Sequence, residues 1–347
     1  MIRFENDYST GAHPLVLRAL AETNLEGNVG YGLDTHTRRA ESLILGLVND
    51  ESSSKKSVYF TIGGTQTNAV GLHWLCRPGE GVLAVDSSHI NVHESGAIES
   101  GMVKVISLIA NDGKLKAADV AKYMDLFEAD PTWPHMVRPT AVYISQPTEL
   151  GTLYSRQEFV DIAAVCRKYS LKLYLDGARL VYALAADDND LSLTDIANHA
   201  DMFYIGGTKA GTLFGEALVT NIDGPQREYF FSHIKRHGAL LAKGWLAAAQ
   251  FEALFTNGLY KEIGSHALRI SALLRRSLLD AGCRELFPAQ TNQLFFELAD
   301  SQLASLEKEV CIDVQHRMTE NTHQVRFVVD WSNTEDDVRT VAKILKA

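Results

Sequence analysis

The chain of 347 residues is 46% hydrophobic and 22% charged, with 25 Gly, 8 Pro and a formal net charge of -10. That profile excludes a disordered or collagen-like chain, and acidic and basic residues interspersed without a basic face speak against a nucleic-acid partner. Four scattered Cys with no Cys-x-x-Cys pair, no leader-like N-terminus and no apolar run near the roughly 18 residues of a membrane span predict a cytoplasmic protein with no membrane partner.

In chain order, Phe4-Glu5-Asn6-Asp7-Tyr8 precedes an apolar helical stretch, Leu15 to Ala21, suited to an interface. The only low-complexity segment, ESSSKK at 51–56, reads as a turn. Strand-like runs then alternate with helical patterns: 57–62 (SVYFTI), 81–86 (GVLAVD), 104–109 (KVISLI), 140–146 (TAVYISQ), 171–176 (LKLYLD) and 202–207 (MFYIGG). Between the fourth and fifth, Phe159, Ile162, Ala163 and Cys166 keep the spacing of one helix face over 156–169. Mostly apolar strands separated by amphipathic helices predict an α/β protein with a parallel or mixed sheet covered on both faces. From about Gly244 a long Ala- and Leu-rich helical pattern leads into the short strands QLFFEL and QVRFVVDW, a connecting helix and a small α+β domain. We therefore expect an N-terminal arm over 1–25, a large domain over 26–245 and a small C-terminal domain over 246–347.

Ligands of such folds gather at the carboxyl ends of the strands. There the sixth run delivers Thr208-Lys209 between glycines, and the fifth delivers Asp176-Gly177-Ala178-Arg179, one strand-helix-strand crossover earlier. A carboxylate beneath a pyridinium nitrogen and a lysine that holds an aldehyde covalently are the two groups pyridoxal phosphate requires. Apart from this pairing, Lys209 reads as a solvated turn lysine and Asp176 as a helix cap. Gly63-Gly64-Thr65-Gln66-Thr67-Asn68, at a strand-to-helix turn, offers free backbone N–H groups to a phosphate. His89 follows the second strand and could lie flat on a bound ring; with His93 it also has metal-ligand spacing, but no third ligand is apparent and no metal is expected. His233 and His237 read as a solvated, basic helix face.

Taken together these residues resemble the threonine aldolase family, pyridoxal-phosphate enzymes of the aspartate-aminotransferase fold (fold type I) grouped with the β-eliminating lyases. The resemblance runs along essentially the whole chain. Asn6 stands in the family's N-terminal Ser-Asp segment, Tyr31-Gly32-Leu33-Asp34 resembles its Tyr-Gly-x-Asp element, and Gly64, Thr65 and Asn68 fall in its phosphate turn. Ser88-His89 with Glu94 matches the motif whose His stacks on the cofactor, and His135 sits where a second His approaches the substrate hydroxyl. Asp176 and Arg179 match the ring-nitrogen motif, Thr208-Lys209 the covalent one, and Arg326 in Val325-Arg326-Phe327 the arginine for the substrate carboxylate, helped by Arg179. There are two departures. Lys243 is the candidate for the family's phosphate-binding arginine, and Glu149 replaces part of a Thr-His-Asn run, a change that bears on substrate range.

The resemblance implies a seven-stranded, mostly parallel sheet, pyridoxal 5'-phosphate as cofactor, and a homodimer or homotetramer with shared active sites. It also implies cleavage of L-threonine, L-allo-threonine or a related L-3-hydroxy-amino acid to glycine and an aldehyde. Asn6, Tyr31, His135, Arg179 and Arg326 would meet the substrate, and His89 or His135, or a water held by them, would be the base. β-Elimination or transamination on the same scaffold, and a non-catalytic ligand-binding protein, are the alternatives.

Overall fold

The computed structural model describes residues 1–48 and 56–346, so the turn read at 51–56 lies, apart from Lys56, outside the described residues. The elements begin with β1 (Ile2–Arg3), α1 (Pro14–Thr23), α2 (Thr35–Val48), β2 (Ser57–Thr61), α3 (Gly64–Leu75), β3 (Gly81–Val85), α4 (His89–Val92), β4 (Lys104–Leu108) and α5 (Ala117–Ala129). They continue with β5 (Pro139–Ser145), α6 (Arg156–Lys168), β6 (Lys172–Asp176), α7 (Leu180–Ala185), α8 (Leu193–His199), β7 (Met202–Gly206), β8 (Glu216–Thr220), α9 (Gln226–Arg236), α10 (Trp245–Phe255) and α11 (Leu259–Asp280). The chain closes with β9 (Arg284–Glu285), β10 (Gln293–Ala299), α12 (Asp300–Leu306), β11 (Val310–Cys311), β12 (Asp313–Thr319), β13 (Thr322–Val328) and α13 (Glu335–Lys346).

The mostly parallel, seven-stranded sheet is present among the described residues, in the order β2-β8-β7-β6-β5-β3-β4. All six expected runs enter it. The seventh strand, β8, pairs antiparallel with both β2 and β7, so its first residue, Glu216, arrives at the edge where its neighbours end. Alternate residues of each strand feed opposite cores, because successive side chains point to opposite faces of a sheet. Val142, Ile144, Leu173, Leu175, Phe203 and Ile205 pack into one cluster, whereas Ala141, Tyr143, Tyr174, Met202 and Tyr204 pack into the other. Helix α6 starts where the sequence signals it: Ser155 and Glu158 form a reciprocal capping box, and its Phe159, Ile162, Ala163 and Cys166 are buried.

The four-stranded sheet β12-β13-β10-β9 is antiparallel, and β1 pairs with β11. Its inward residues Leu294, Phe296, Val325 and Phe327 are buried. The amino-terminal segment is fastened to this part of the chain, since Phe4 N–H donates to the Cys311 carbonyl, Val328 N–H donates to the Phe4 carbonyl, and the Phe4 ring meets Phe327 edge-on at 6.3 Å. Asp7, three residues further on, is thereby held against Arg179 at the carboxyl edge of the large sheet.

Candidate active site

At the carboxyl edge of the large sheet, a cavity of about 300 Å³ is lined by Gly63, Gly64 and Thr65 from the start of α3, and by His89. Ser145 ending β5 with Pro147 and Glu149 beyond it, Asp176 ending β6 with Ala178 and Arg179 beyond it, Thr208 and Lys209 after β7, and Glu216 opening β8 complete most of its wall, with the exposed Tyr8 also lining it. The lysine and the aspartate share this cavity because their strands are parallel neighbours. Glycine allows the approach: a Cβ on Gly177 would lie 1.9 Å from the Tyr204 carbonyl oxygen, so no larger residue can follow Asp176 while β6 and β7 end side by side.

Asp176 is buried and receives four hydrogen bonds. Tyr143 Oη and Asn68 Nδ2 donate to Oδ2 at 2.6 and 3.0 Å, whereas Tyr204 Oη and the Ala178 N–H donate to Oδ1 at 2.6 and 2.9 Å. Burial pushes its carboxyl up, but the His89 charge and these donors outweigh burial and hold it below the usual carboxylate range. An anionic group is therefore fixed at the cavity wall. The two tyrosines gave no sequence signal, although the register explains them: Tyr143 lies opposite Tyr174, one pleat before Asp176 on the same face.

Asn68 was expected at the phosphate; the structure corrects this, because it is wholly buried one turn inside α3, donating to Asp176 and to Glu94 Oε1 at 2.7 Å. The same Glu94 oxygen meets His89 Nδ1 at 2.8 Å, orienting the ring. Gly64 and Thr65 do stand at the helix N-terminus, where the first N–H groups have no partner within the helix and favour an anion.

Half-buried Lys209 has its pKa lowered, first by burial and then by the neighbouring Arg179 charge. Its turn is fixed on both sides: the Gly207 and Thr208 N–H groups donate to the Gly215 carbonyl, the Gly207 N–H also donates to Glu216 Oε2 at 2.9 Å, and Tyr182 Oη donates to the Lys209 carbonyl at 2.6 Å. Burial pushes Glu216 up to about 8. No sequence signal pointed to this glutamate, since it belongs to the unrecognised strand.

Arg179 spends Nε and Nη2 on Asp7 at 2.7 and 3.0 Å, and Asp7 also accepts from Asn292 Nδ2 at 3.0 Å. Burial opposes the Asp7 charge, but Arg179 and Lys209 hold its carboxyl below the ordinary range. Arg326 reaches Gln293 Oε1 with Nη1 at 3.2 Å and Asp313 Oδ2 with Nη2 at 2.8 Å; its Nε is buried with no partner among the described residues. Asn6 accepts from the Tyr8 N–H at 3.0 Å and is not among the residues lining the cavity.

Four further expectations are corrected. His135 closes a short 3-10 turn (Trp133–His135) just before β5 and is exposed; β5 runs from there toward the cavity, so His135 is at the opposite edge of the sheet. Tyr31 lies away from the cavity, exposed beneath Lys235 Nζ at 4.1 Å, and Lys243 is an exposed residue in the turn before α10. His233 is not solvated: packed between Trp74 and Phe230, it is buried with Nε2 2.9 Å from the Val70 carbonyl, and burial brings its pKa down to about 4. Among the described residues no cluster of His, Cys, Asp or Glu is arranged to hold a metal ion.

Residues 4–314 match the model of the beta-eliminating lyase family. The chain is 28% identical, over 349 aligned positions, to a low specificity L-threonine aldolase of Pseudomonas sp. (strain NCIMB 10558), covering 99% of this chain and 97% of that one. Among solved structures, a threonine aldolase of Leishmania major is similar with a TM-score of 0.93 and 40% identity over 100% of this chain and 99% of that one. A Thermus thermophilus aspartate aminotransferase variant, 14% identical with a TM-score of 0.69 over 99% of this chain and 95% of that one, shares the fold.

Proposed function

The chain belongs to the beta-eliminating lyase family, and from that membership we propose that it is a pyridoxal-phosphate-dependent aldolase cleaving L-threonine, L-allo-threonine or related L-3-hydroxy-amino acids to glycine and an aldehyde. The observation that carries this reading is the convergence of Lys209, Asp176 and His89 on one cavity with the N-terminus of α3. That donor set fits the cofactor: a helix start for its phosphate, a fixed anion for its ring nitrogen, an oriented imidazole for its ring face and a lysine of lowered pKa for its aldehyde carbon. When bound, pyridoxal phosphate supplies an electron sink for the bond broken at Cα.

The rest is the work of this chain. Asp176 stays ionised under its four donors and would so keep a proton on the cofactor's ring nitrogen. The bare, buried Nε of Arg326 suits a substrate carboxylate, which would also satisfy an orphaned donor. Arg179 is held by Asp7 through Nε and Nη2, and it lines the cavity. Together these cations orient the amino acid so that the scissile bond, and not another bond at Cα, is aligned for cleavage.

The site is completed, on our reading, in a homodimer or homotetramer. Leu15, Leu17, Leu25, Val29, Leu33 and Leu213 are exposed apolar side chains of the kind a second copy would cover. We further propose a cytoplasmic location and the division into an arm (1–25), a large domain (26–245) and a small domain (246–347); no helix among the described residues is long and apolar enough to cross a membrane.

Product analysis with L-threonine and the purified, cofactor-loaded protein tests the assignment. Acetaldehyde and glycine in equal amounts are expected. 2-Oxobutyrate and ammonia would instead make it a β-eliminating enzyme.

A further inference from the structure

With His135 at the far edge of this chain's sheet, the chain's own cavity offers other residues for the hydroxyl-directed base. Glu149, in the turn after β5, lines it. One carboxylate oxygen, Oε1, is fixed twice, by the His89 N–H at 3.0 Å and by Ser145 Oγ at 2.7 Å. The other, Oε2, is buried with no hydrogen-bond partner among the described residues. A bare buried carboxylate oxygen is costly, and a ligand that donates a hydrogen bond removes the cost.

The donor can be identified by elimination, granting the reaction assigned above. A 3-hydroxy-amino acid has three polar groups: the amino group belongs with the aldehyde carbon that Lys209 serves, the carboxylate belongs with Arg326 and Arg179, and the hydroxyl is left. His89 is less free than Glu149, because its Nδ1 is committed to Glu94 and its orientation to the network under Asp176. We propose that the Glu149 carboxylate is the base that takes the β-hydroxyl proton, with His89 and Ser145 holding it in place.

The step balances within the substrate. The hydroxyl proton moves to Oε2, the O–H pair becomes the second C–O bond of the aldehyde, the Cα–Cβ bond breaks with its pair on the Cα side, and a proton added at Cα completes glycine. One proton is taken at oxygen and one is returned at carbon, with no oxidant or reductant. The titratable and charged groups facing Glu149 are His89 from α4, Tyr143 from β5, Asp176 at the end of β6, Arg179 after it, Tyr154 before α6 and Lys209 after β7. Burial, only partly offset by the Ser145 bond, with Asp176 adding to it, raises its carboxyl above the ordinary range, nearer a working pH for a base.

Glu149→Gln keeps an oxygen for both anchoring donors and removes the base. In the cofactor-loaded variant, kcat for L-threonine cleavage should fall by about 100-fold or more, while the visible absorbance of the bound cofactor and the affinity for glycine stay near wild type. Exchange of the glycine α-proton in D2O, followed by NMR, should continue, because glycine has no hydroxyl. Cleavage near the wild-type rate, or an equal collapse of cleavage and exchange, overturns the proposal. Ser145→Ala is the second arm, independent of whether Glu149→Gln holds the cofactor. It keeps the base but removes a bond that lowers its pKa, so the acid limb of kcat/KM should move to higher pH, and an unmoved limb overturns the assignment. A wild-type protein that exchanges glycine yet cleaves no 3-hydroxy-amino acid would sink the reaction itself.

Discussion

Replacing Asp176 with Asn perturbs both the fold and the chemistry, and the geometry separates the two effects. The carboxylate accepts from two tyrosine hydroxyls, one side-chain amide and one backbone N–H. An asparagine must put its NH2 where one oxygen stood, facing either Asn68 Nδ2 or the Ala178 N–H. A hydroxyl can turn to accept, but these two groups cannot. One donor is therefore orphaned, at about 1–3 kcal/mol, and the surviving bonds lose their charge assistance; relief from burying an anion offsets part of this, leaving a net loss of about 2 kcal/mol. Because the folded-state pKa is depressed, the wild-type advantage is present above the unfolded-state value and is lost as pH falls through the lowered folded value. Urea unfolding of the cofactor-free proteins should show the gap at pH 7 and a narrowing in acid. With cofactor, the variant should remain coloured while turnover falls by orders of magnitude, since an amide cannot keep the ring nitrogen protonated. Equal stability at pH 7 together with near-normal turnover would reduce Asp176 to a cap of the Ala178 turn.

Lys209→Ala should abolish both turnover and borohydride-reducible absorbance; persistent absorbance would move the covalent link to another lysine. Arg326→Lys cannot keep its bonds to Gln293 and Asp313 while offering a fork to a carboxylate, so KM for L-threonine should rise by about tenfold or more with cofactor absorbance intact; unchanged kinetics would leave the carboxylate to Arg179. Asp7→Ala strands the buried Arg179 charge and should cost about 3–5 kcal/mol in urea unfolding, and a loss below about 1 kcal/mol would show that solvent reaches the guanidinium. Glu216 titrates near 8 in the folded protein, well above its unfolded value of 4.5, so its contribution is full below the unfolded value and is lost as pH rises through the folded one. Glu216→Gln should therefore flatten the decline in cofactor-free stability between pH 5 and 8, and an identical slope in both proteins would refute a buried, protonated Glu216.

What could be read from the sequence was what strand periodicity and strand ends encode. Lys209, Asp176, Arg179, Thr208, Gly64 and Thr65 follow apolar runs directly, so knowing the runs placed them on one edge of the sheet. β8 was missed because Glu216–Thr220 follows a glycine-rich turn closely and opens on a charged residue that is buried only because β8 runs antiparallel. Its loss hid Glu216 as well. Tyr143 and Tyr204 looked like ordinary strand aromatics, since only inter-strand register shows that their hydroxyls meet one carboxylate. His135 was misplaced for a directional reason: a residue that precedes a parallel strand lies at the amino edge, whatever motif it resembles. Glu149 was noticed as a departure, but its bare oxygen is a property of the folded cavity.

The salt link from Asp7 to Arg179, with Asn292 alongside, has a consequence for biosynthesis. Its three members come from the amino-terminal segment, the turn after β6 in the large sheet and the residue just before β10 of the C-terminal sheet. At ordinary ribosomal speeds the interval between Arg179 and Asn292 is on the order of ten seconds. Throughout that interval the arm has no C-terminal sheet to fasten onto, and the guanidinium that should face it lacks a settled counter-charge. The wall of the cavity is thus finished late, after most of the large sheet has been made. Nascent chains should capture cofactor only once that last sheet has docked, and the mature protein should lose the arm, the cavity and the C-terminal sheet in one cooperative melt.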